Sequence, residues 1–501
     1  MSHSIPSTDT QPGSPVGETP RPTGLGDRAA ESPETMASHA TSPDEEWREA
    51  VPARFSESFV VGALSRALQA TCLVYAGVLV YWVWLAKDVA ASRLFADPVF
   101  YGYSIAITAY IGARFLLAPF YRPTPDRGFR PTVSIVVPAF NEEDCIGRTI
   151  DACYGSDYPQ DRVSVVVVDD GSSDETWEQI LAARERHPSL VAVQFTKNRG
   201  KREAMAEGIR RSSGQVCVFI DSDSVIDADG LALIVQDLSD PRVGAVVGTA
   251  EVLNKRENLL TKMQQVRYFV AFRVVKGSES LFGAVTCASG CFSAYRRTAL
   301  LEVLEEWESQ MFLGQKATFG DDRALTNYVL RKWRVAYQSR ARAHTIVPEK
   351  MPKFLRQQLR WKKSWMRESL HVSRFIWRKH PVAAGLTLLS VVFPWVAPIV
   401  LIRSFLWPLL GPGDPLFYVM GAYVVAVAYA LYYAITRRSP LWFHGISFVL
   451  VYMTMLVWQT YYALFTLRDT SWGTRPSTYD EEEGETLTVG PADLRPEVGG
   501  G

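Results

Sequence analysis

The sequence has little that would suggest a disulfide-stapled or metal-stapled fold. Its six cysteines (72, 145, 153, 217, 287 and 291) show no regular Cys-x-x-Cys spacing. That argues against a disulfide framework or a structural zinc site and leaves reduced, buried thiols as the expectation. Net charge is lacking as well, since 53 Lys and Arg balance 53 Asp and Glu. Bulk charge therefore favours no particular partner, and no nucleic-acid partner is expected. Residues 1–60 lack apolar periodicity and are rich in Pro, Ser, Thr, Gly and Glu, the composition of a disordered tail. No basic stretch followed by an apolar run stands near Met1, so no signal peptide is read there.

Long apolar runs, by contrast, are present. A chain of 501 residues exceeds one compact core, and two or more units are expected. Residues 64–86 and 100–120 are each about the 20 residues a helix needs to cross a bilayer, so 61–122 reads as two transmembrane helices. Tyr81, Trp82 and Trp84 mark an interface at one end of the first. Three more runs, 382–407, 416–435 and 441–467, make a C-terminal block over 381–468. Pro394 and Pro398 are tolerable there when neighbouring helices re-satisfy the backbone. Arg378 and Lys379 before this block, and Arg437 and Arg438 after its second run, place both ends of that pair in the cytoplasm. The third run is too short for two full spans.

Between these blocks, 130–350 alternates strand and helix. Residues 132–137, 163–168, 190–195 and 216–220 read as buried strands. Intervening helices are expected from Ala139 to Tyr154, over 175–186 and over 203–211. That spacing predicts an α/β domain with a parallel, doubly wound sheet. Ligands bind beyond the carboxyl ends of such strands. Three strands end in acidic loops: Asn141/Glu142, Asp169/Asp170 and Asp221/Asp223. A loop dense in Lys and Arg, 197–202, lies among them. Single acidic loops are ordinary turns and caps; three on one edge indicate a nucleotide-and-metal site. Two hard oxygen ligands at Asp221 and Asp223 suit Mg2+ or Mn2+.

Downstream, Asp321 and Asp322 precede a helical run at 324–332, where either could simply cap the helix. The basic, amphipathic stretch 353–370 is most simply an interfacial helix on lipid headgroups.

In order, Pro-x-x-Asn-Glu, Asp-Asp-Gly-Ser-x-Asp, Asn-x-Gly-Lys, Asp-x-Asp, Asp and Gln-x-x-Arg-Trp resemble the processive inverting glycosyltransferases that include cellulose, chitin and hyaluronan synthases. The resemblance implies a cytoplasmic GT-A domain inserted between transmembrane and interfacial helices, with 351–380 carrying Gln357, Arg360 and Trp361. It implies UDP-sugar binding by Ala139, Asn141, Glu142, Asp169, Asp170, Lys201, Asp221 and Arg360, and a metal at Asp221 and Asp223. Asp322 matches the general base, and Asp321 beside it is taken with it as catalytic. Gln357, Trp361 and Arg323 would meet the acceptor, and Trp472 and Arg475, in the 469–501 tail, would gate it. A growing polysaccharide and the lipid bilayer are the implied partners, at the plasma membrane.

Trp307–Gly314, 319–327 and Trp472-Gly473-Thr474-Arg475 are most similar to hyaluronan synthases, which would imply UDP-GlcNAc and UDP-glucuronate. Ser289-Gly290-Cys291-Phe292-Ser293-Ala294-Tyr295 departs from their usual Ser-Gly-Pro-Leu-Gly-x-Tyr. The other readings are a chitin- or cellulose-like homopolymer synthase, a transferase to a lipid carrier, and a scaffold or transporter subunit that kept the fold.

Overall fold

The structure, a computed structural model, describes residues 98–406, 415–468 and 486–489. The expected disordered tail, the apolar run 64–86 and the Trp472/Arg475 motif lie outside the described residues.

The domain begins as the valine-rich runs predict. Strands β1 (Val133–Ala139), β2 (Val163–Asp169), β3 (Val191–Phe195) and β4 (Val216–Phe219) are joined by helices. All seven residues of β1 and all four of β4 are buried, because helices cover both faces of the sheet. β1 runs parallel to both β2 and β4, with Val133 opposite Val163 and Val216. Pro138 continues β1 where the sequence reading ended the strand. The first helix, α1 (Pro98–Leu117), precedes the sheet. Helix α2 (Ile146–Tyr154) starts later than the run from Ala139 suggests, because Asn141 takes a left-handed φ of 53°. Helices α3 (Thr176–Arg186) and α4 (Lys201–Arg211) match the reading closely.

Past β4 the sheet is mixed. It adds β5 (Ser224–Ile226), β6 (Val243–Val252), β7 (Ser293–Arg296), β10 (Arg334–Thr345) and β11 (Thr486–Val489) in the order β11-β3-β2-β1-β4-β7-β6-β10-β5. A small hairpin, β8 (Met311–Phe312) with β9 (Gln315–Lys316), stands apart from it. β7 pairs antiparallel with β4, Ser293 facing Phe219. The chain enters β7 from the carboxyl edge of the sheet, and a strand entered from that edge must run backwards. The strand order reverses between β1 and β4, so the crevice above them is the switch point where ligands bind.

Helices α5 (Leu259–Phe269) and α6 (Asp321–Lys332) pack on the sheet, and α7 (Met351–Ser373) runs along the domain's edge. Then come α8 (Pro381–Leu406), α9 (Pro415–Arg437) and the helical run α10 (Pro440–Phe465), which contains a π turn at Tyr452–Leu456. Three segments among the described residues are long and apolar enough to cross a membrane: Gly102–Phe120, Pro381–Arg403 and Pro440–Phe465. The first two pack through aromatic edges, Phe393 of α8 lying 5.7 Å from Tyr103 and 5.3 Å from Tyr110 of α1.

Helix α4 lies close on β1 because Gly208 has no side chain. A Cβ there would meet Val136 Cγ1 at 2.2 Å. Gly208→Ala is expected to cost about 1–3 kcal/mol through overpacking, seen as a lower melting temperature of the full chain in detergent.

Candidate active site

The β1 and β2 loops are interlocked. Asn141 N–H donates to Ser172 Oγ (3.0 Å), and Ser173 N–H donates to Asn141 Oδ1 (2.9 Å). Glu142 N–H donates to Thr176 Oγ1 (2.8 Å), while Glu143 Oε2 accepts from Glu175 N–H (2.9 Å). Asp169 is fully buried and accepts from Ser172 N–H (3.0 Å) and Gln194 Nε2 (3.1 Å). Burial pushes its carboxyl above the usual range. Asp170 Oδ1 accepts from Arg199 N–H (2.8 Å) and Gly200 N–H (3.0 Å). The Asp170 N–H donates to the Ala139 carbonyl (2.9 Å). Asp169 and Asp170 thus set the wall of the crevice and pin the basic loop. Gly171, with φ +70°, allows this approach, since a Cβ would meet the Lys197 carbonyl carbon at 2.6 Å.

That loop delivers Lys201, whose ammonium pairs with Asp221. Asp223, two residues on, accepts from Ser224 Oγ (3.2 Å) and Thr345 Oγ1 (3.4 Å). Among the described residues no group of three or more His, Cys, Asp or Glu converges on a metal position. A two-carboxylate donor set still fits Mg2+ or Mn2+ bound together with a nucleotide diphosphate, because such ions keep several waters and lean on substrate phosphates. Gly290 faces Asp221, and a Cβ on it would stand 2.9 Å from Oδ1.

Adjacent Asp321 and Asp322 diverge completely. Asp321 is 3% exposed, and its Oδ1 accepts from Arg202 Nε at 2.8 Å. Arg202 NH1 also donates to the Trp307 carbonyl (2.9 Å) and to Gln310 Oε1 (3.1 Å). Gln310 then donates to Glu368 Oε1 (3.0 Å), which also accepts from Arg367 Nε (2.7 Å). Asp322 is half-buried; its Oδ1 accepts from Arg323 N–H (2.7 Å), and the Cys287 thiol lies 3.9 Å from Oδ2. The segment from Thr286 to Cys291 therefore spans both carboxylate centres, with Cys287 at Asp322 and Gly290 at Asp221. Burial raises both thiols, Cys287 with help from the Asp322 carboxylate, and Cys291 to about 12.

Helix α7 closes this side. Gly320, at φ +76°, precedes α6, and a Cβ on it would fall 1.7 Å from Ser364 Oγ of α7. Gln357, Arg360 and Trp361 lie on α7, with Trp361 38% exposed. Arg323 follows Asp322 in the first turn of α6. The sequence reading singled out Asp321, the 307–314 stretch that holds Gln310 and the 289–295 loop that holds Gly290. It missed Arg202 as the partner of Asp321, the link from Gln310 to Glu368 and Arg367, the approach of Gly290 to Asp221, and Cys287. Arg202 sits in the recognised basic loop, and Gln310 and Gly290 sit in recognised stretches; Cys287, Arg367 and Glu368 carry no local signal.

Residues 134–304 match the profile described as glycosyl transferase family 2. The chain is 31% identical over 388 residues to a hyaluronan synthase of Streptococcus pyogenes, covering 74% of this chain and 90% of that protein. It belongs to glycosyl transferase family 2. It is 33% identical over 365 residues to an N-acetylglucosaminyltransferase of Neorhizobium galegae, covering 70% of this chain and 81% of that one. A mannosyltransferase from Pyrobaculum calidifontis, solved in complex with GDP-Man and Mn2+, shares the fold with a TM-score of 0.53 at 23% identity, covering 74% of this chain and 98% of that chain. The protein is thus an enzyme with a GT-A type glycosyltransferase domain, flanked by helices apolar enough to span a membrane.

Two variants separate support from chemistry in this glycosyltransferase. Asp321→Asn leaves Arg202 buried with a weakened partner. Breaking such a pair costs about 3–5 kcal/mol, so a melting point lowered by several degrees is expected. Gly290→Ala displaces the Asp221 carboxylate, and steady-state kinetics should show a raised donor KM with a smaller change in stability.

Proposed function

We propose that this enzyme is a membrane-embedded, processive hyaluronan synthase using UDP-GlcNAc and UDP-glucuronate. The observation that carries the proposal is the pair of carboxylate centres on one strap: Asp221 and Asp223 beside Gly290, and Asp322 beside Cys287. Asp221, Asp223 and Lys201 would hold the donor diphosphate with Mg2+ or Mn2+. Ala139, Asn141, Glu142, Asp169 and Asp170 would frame the nucleotide, and Arg360 would meet the diphosphate. The metal would neutralise charge on the leaving group.

Asp322 would accept the proton of the acceptor hydroxyl as that oxygen bonds to the anomeric carbon. The bond from that carbon to the diphosphate oxygen breaks, releasing UDP and inverting the configuration to a β-linkage. Asp321 would act by fixing Arg202 and the start of α6 rather than by touching substrate. Trp361 and Gln357 on α7, with Arg323 nearby, would seat the acceptor, and Trp472 and Arg475 would gate it. The growing chain would leave through the surrounding helices, with the catalytic domain on the cytoplasmic side of the plasma membrane.

A second reading, a single-donor polymer of GlcNAc, is favoured by the N-acetylglucosaminyltransferase relative and by Cys291–Ala294, which departs from the hyaluronan synthase pattern. Purified full-length enzyme in vesicles with Mg2+ or Mn2+, given each donor alone and both together, distinguishes the two. Polymer only with both donors, degraded by a hyaluronan-specific lyase, supports the proposal; polymer from UDP-GlcNAc alone supports the second reading. Asp322→Asn should lower kcat by about 10²–10⁴, the usual contribution of a general base, with donor KM little changed.

A further inference from the structure

Among the described residues, two cations near the candidate acceptor tryptophan have no acidic partner. The Arg267 guanidinium of α5 lies 5.8 Å from the Trp361 ring centroid and 5.2 Å from that of Phe448 in α10. Its NH1 is shut off from solvent with no hydrogen-bond partner. The next residue on α7, Lys362, donates to the Leu456 carbonyl in the π turn of α10 and to Thr460 Oγ1 (2.9 Å). Among the described residues, no carboxylate forms an ion pair with either side chain. Burial and the Arg267 charge bring the Lys362 ammonium down to about 8, and burial also lowers Arg267.

Three buried arginines elsewhere in this structure are neutralised by carboxylates. Arg114 pairs with Glu279 at 3.3 Å, Arg202 with Asp321 at 2.8 Å and Arg367 with Glu368 at 2.7 Å. Arg267 and Lys362 are half-buried, and two neighbouring cations taken partly out of water without a counter-charge are costly; the Trp361 ring beside Arg267 is 38% exposed. The missing element is an anion that arrives with the substrate.

We infer that Arg267, with Lys362 beside it, is a specificity-determining site that recognises the carboxylate of an acidic sugar in the acceptor chain as that sugar passes Trp361. This deepens the hyaluronan synthase reading and rests on it. A guanidinium can take a carboxylate with two parallel hydrogen bonds, which an uncharged hexosamine cannot reproduce. A neutral polymer would leave both cations unpaired.

The test uses the full chain in nanodiscs, titrated with a hyaluronan tetrasaccharide and, on the same preparation, with chitotetraose. The wild-type enzyme should bind the uronate oligosaccharide at least about tenfold more tightly, a preference weakened by salt. Arg267→Gln should bring the ratio close to one, Arg267→Lys should restore much of it, and Lys362→Gln should reduce it in part. A smaller folded fraction lowers both signals equally and leaves the ratio in place. A ratio that survives Arg267→Gln, or a wild-type enzyme that polymerises both donors yet binds the two oligosaccharides equally, overturns the inference alone. A wild-type enzyme that makes polymer from UDP-GlcNAc only overturns the hyaluronan reading, and this inference with it.

Discussion

The site depends on one buried ion pair, Arg202 with Asp321, whose side chains are 4% and 3% exposed. Removing two charges from water is expensive, so the pair holds only because its geometry is fixed and its other hydrogen bonds are largely met. Arg202 lies in the first turn of α4, directly after Arg199 and Gly200, whose N–H groups Asp170 holds. Asp321 begins α6, directly before Asp322. The pair therefore ties the nucleotide side of the crevice to the side that carries the proposed base. Through Gln310, Glu368 and Arg367, whose NH2 donates to the Phe319 carbonyl at 2.5 Å, the same network reaches α7. The conformation of each wall thus depends on the others.

A second linkage runs from the membrane side. Arg114 in α1, 2% exposed, donates to Ser278 Oγ (3.1 Å) and Glu279 Oε1 (3.3 Å). The other Glu279 oxygen accepts from Thr286 N–H (3.2 Å), and Lys276 donates to the Cys287 carbonyl (2.6 Å). A charged residue inside an apolar helix is stable only when it faces protein and finds a partner. Here that partner also holds the strap between Asp221 and Asp322.

Much of this was legible in the chain. Valine-rich runs at 133–137 and 163–168, each broken by a single serine, read as covered strands, and acidic residues at their ends mark the carboxyl edge. The mixed half of the sheet was not legible. β7 is four residues long, and its direction is set by the edge from which the loop enters, which no local pattern encodes. Pro138 reads as a strand end, yet β1 carries on through it to Ala139. Asp321 and Asp322 are indistinguishable in sequence, and only the placement of Arg202, more than a hundred residues earlier, sends one to the interior. Asn141 and Glu142 read as ligand positions but also serve as struts between loops, because their backbone and amide groups meet Ser172, Ser173 and Thr176. Arg267 was invisible as a site residue, since its neighbours Trp361 and Phe448 come from helices far along the chain.

The central claim is that donor and acceptor chemistry lie on opposite sides of the strap from Thr286 to Cys291. A cryo-electron microscopy structure of the full-length enzyme with UDP, Mn2+ and a short acceptor oligosaccharide tests it most directly. The account predicts Mn2+ and the diphosphate at Asp221 and Asp223, with the Asp322 carboxylate within hydrogen-bond reach of the acceptor hydroxyl beside Trp361. Mn2+ held by Asp169 and Asp170, or an acceptor hydroxyl facing Asp321, would contradict it.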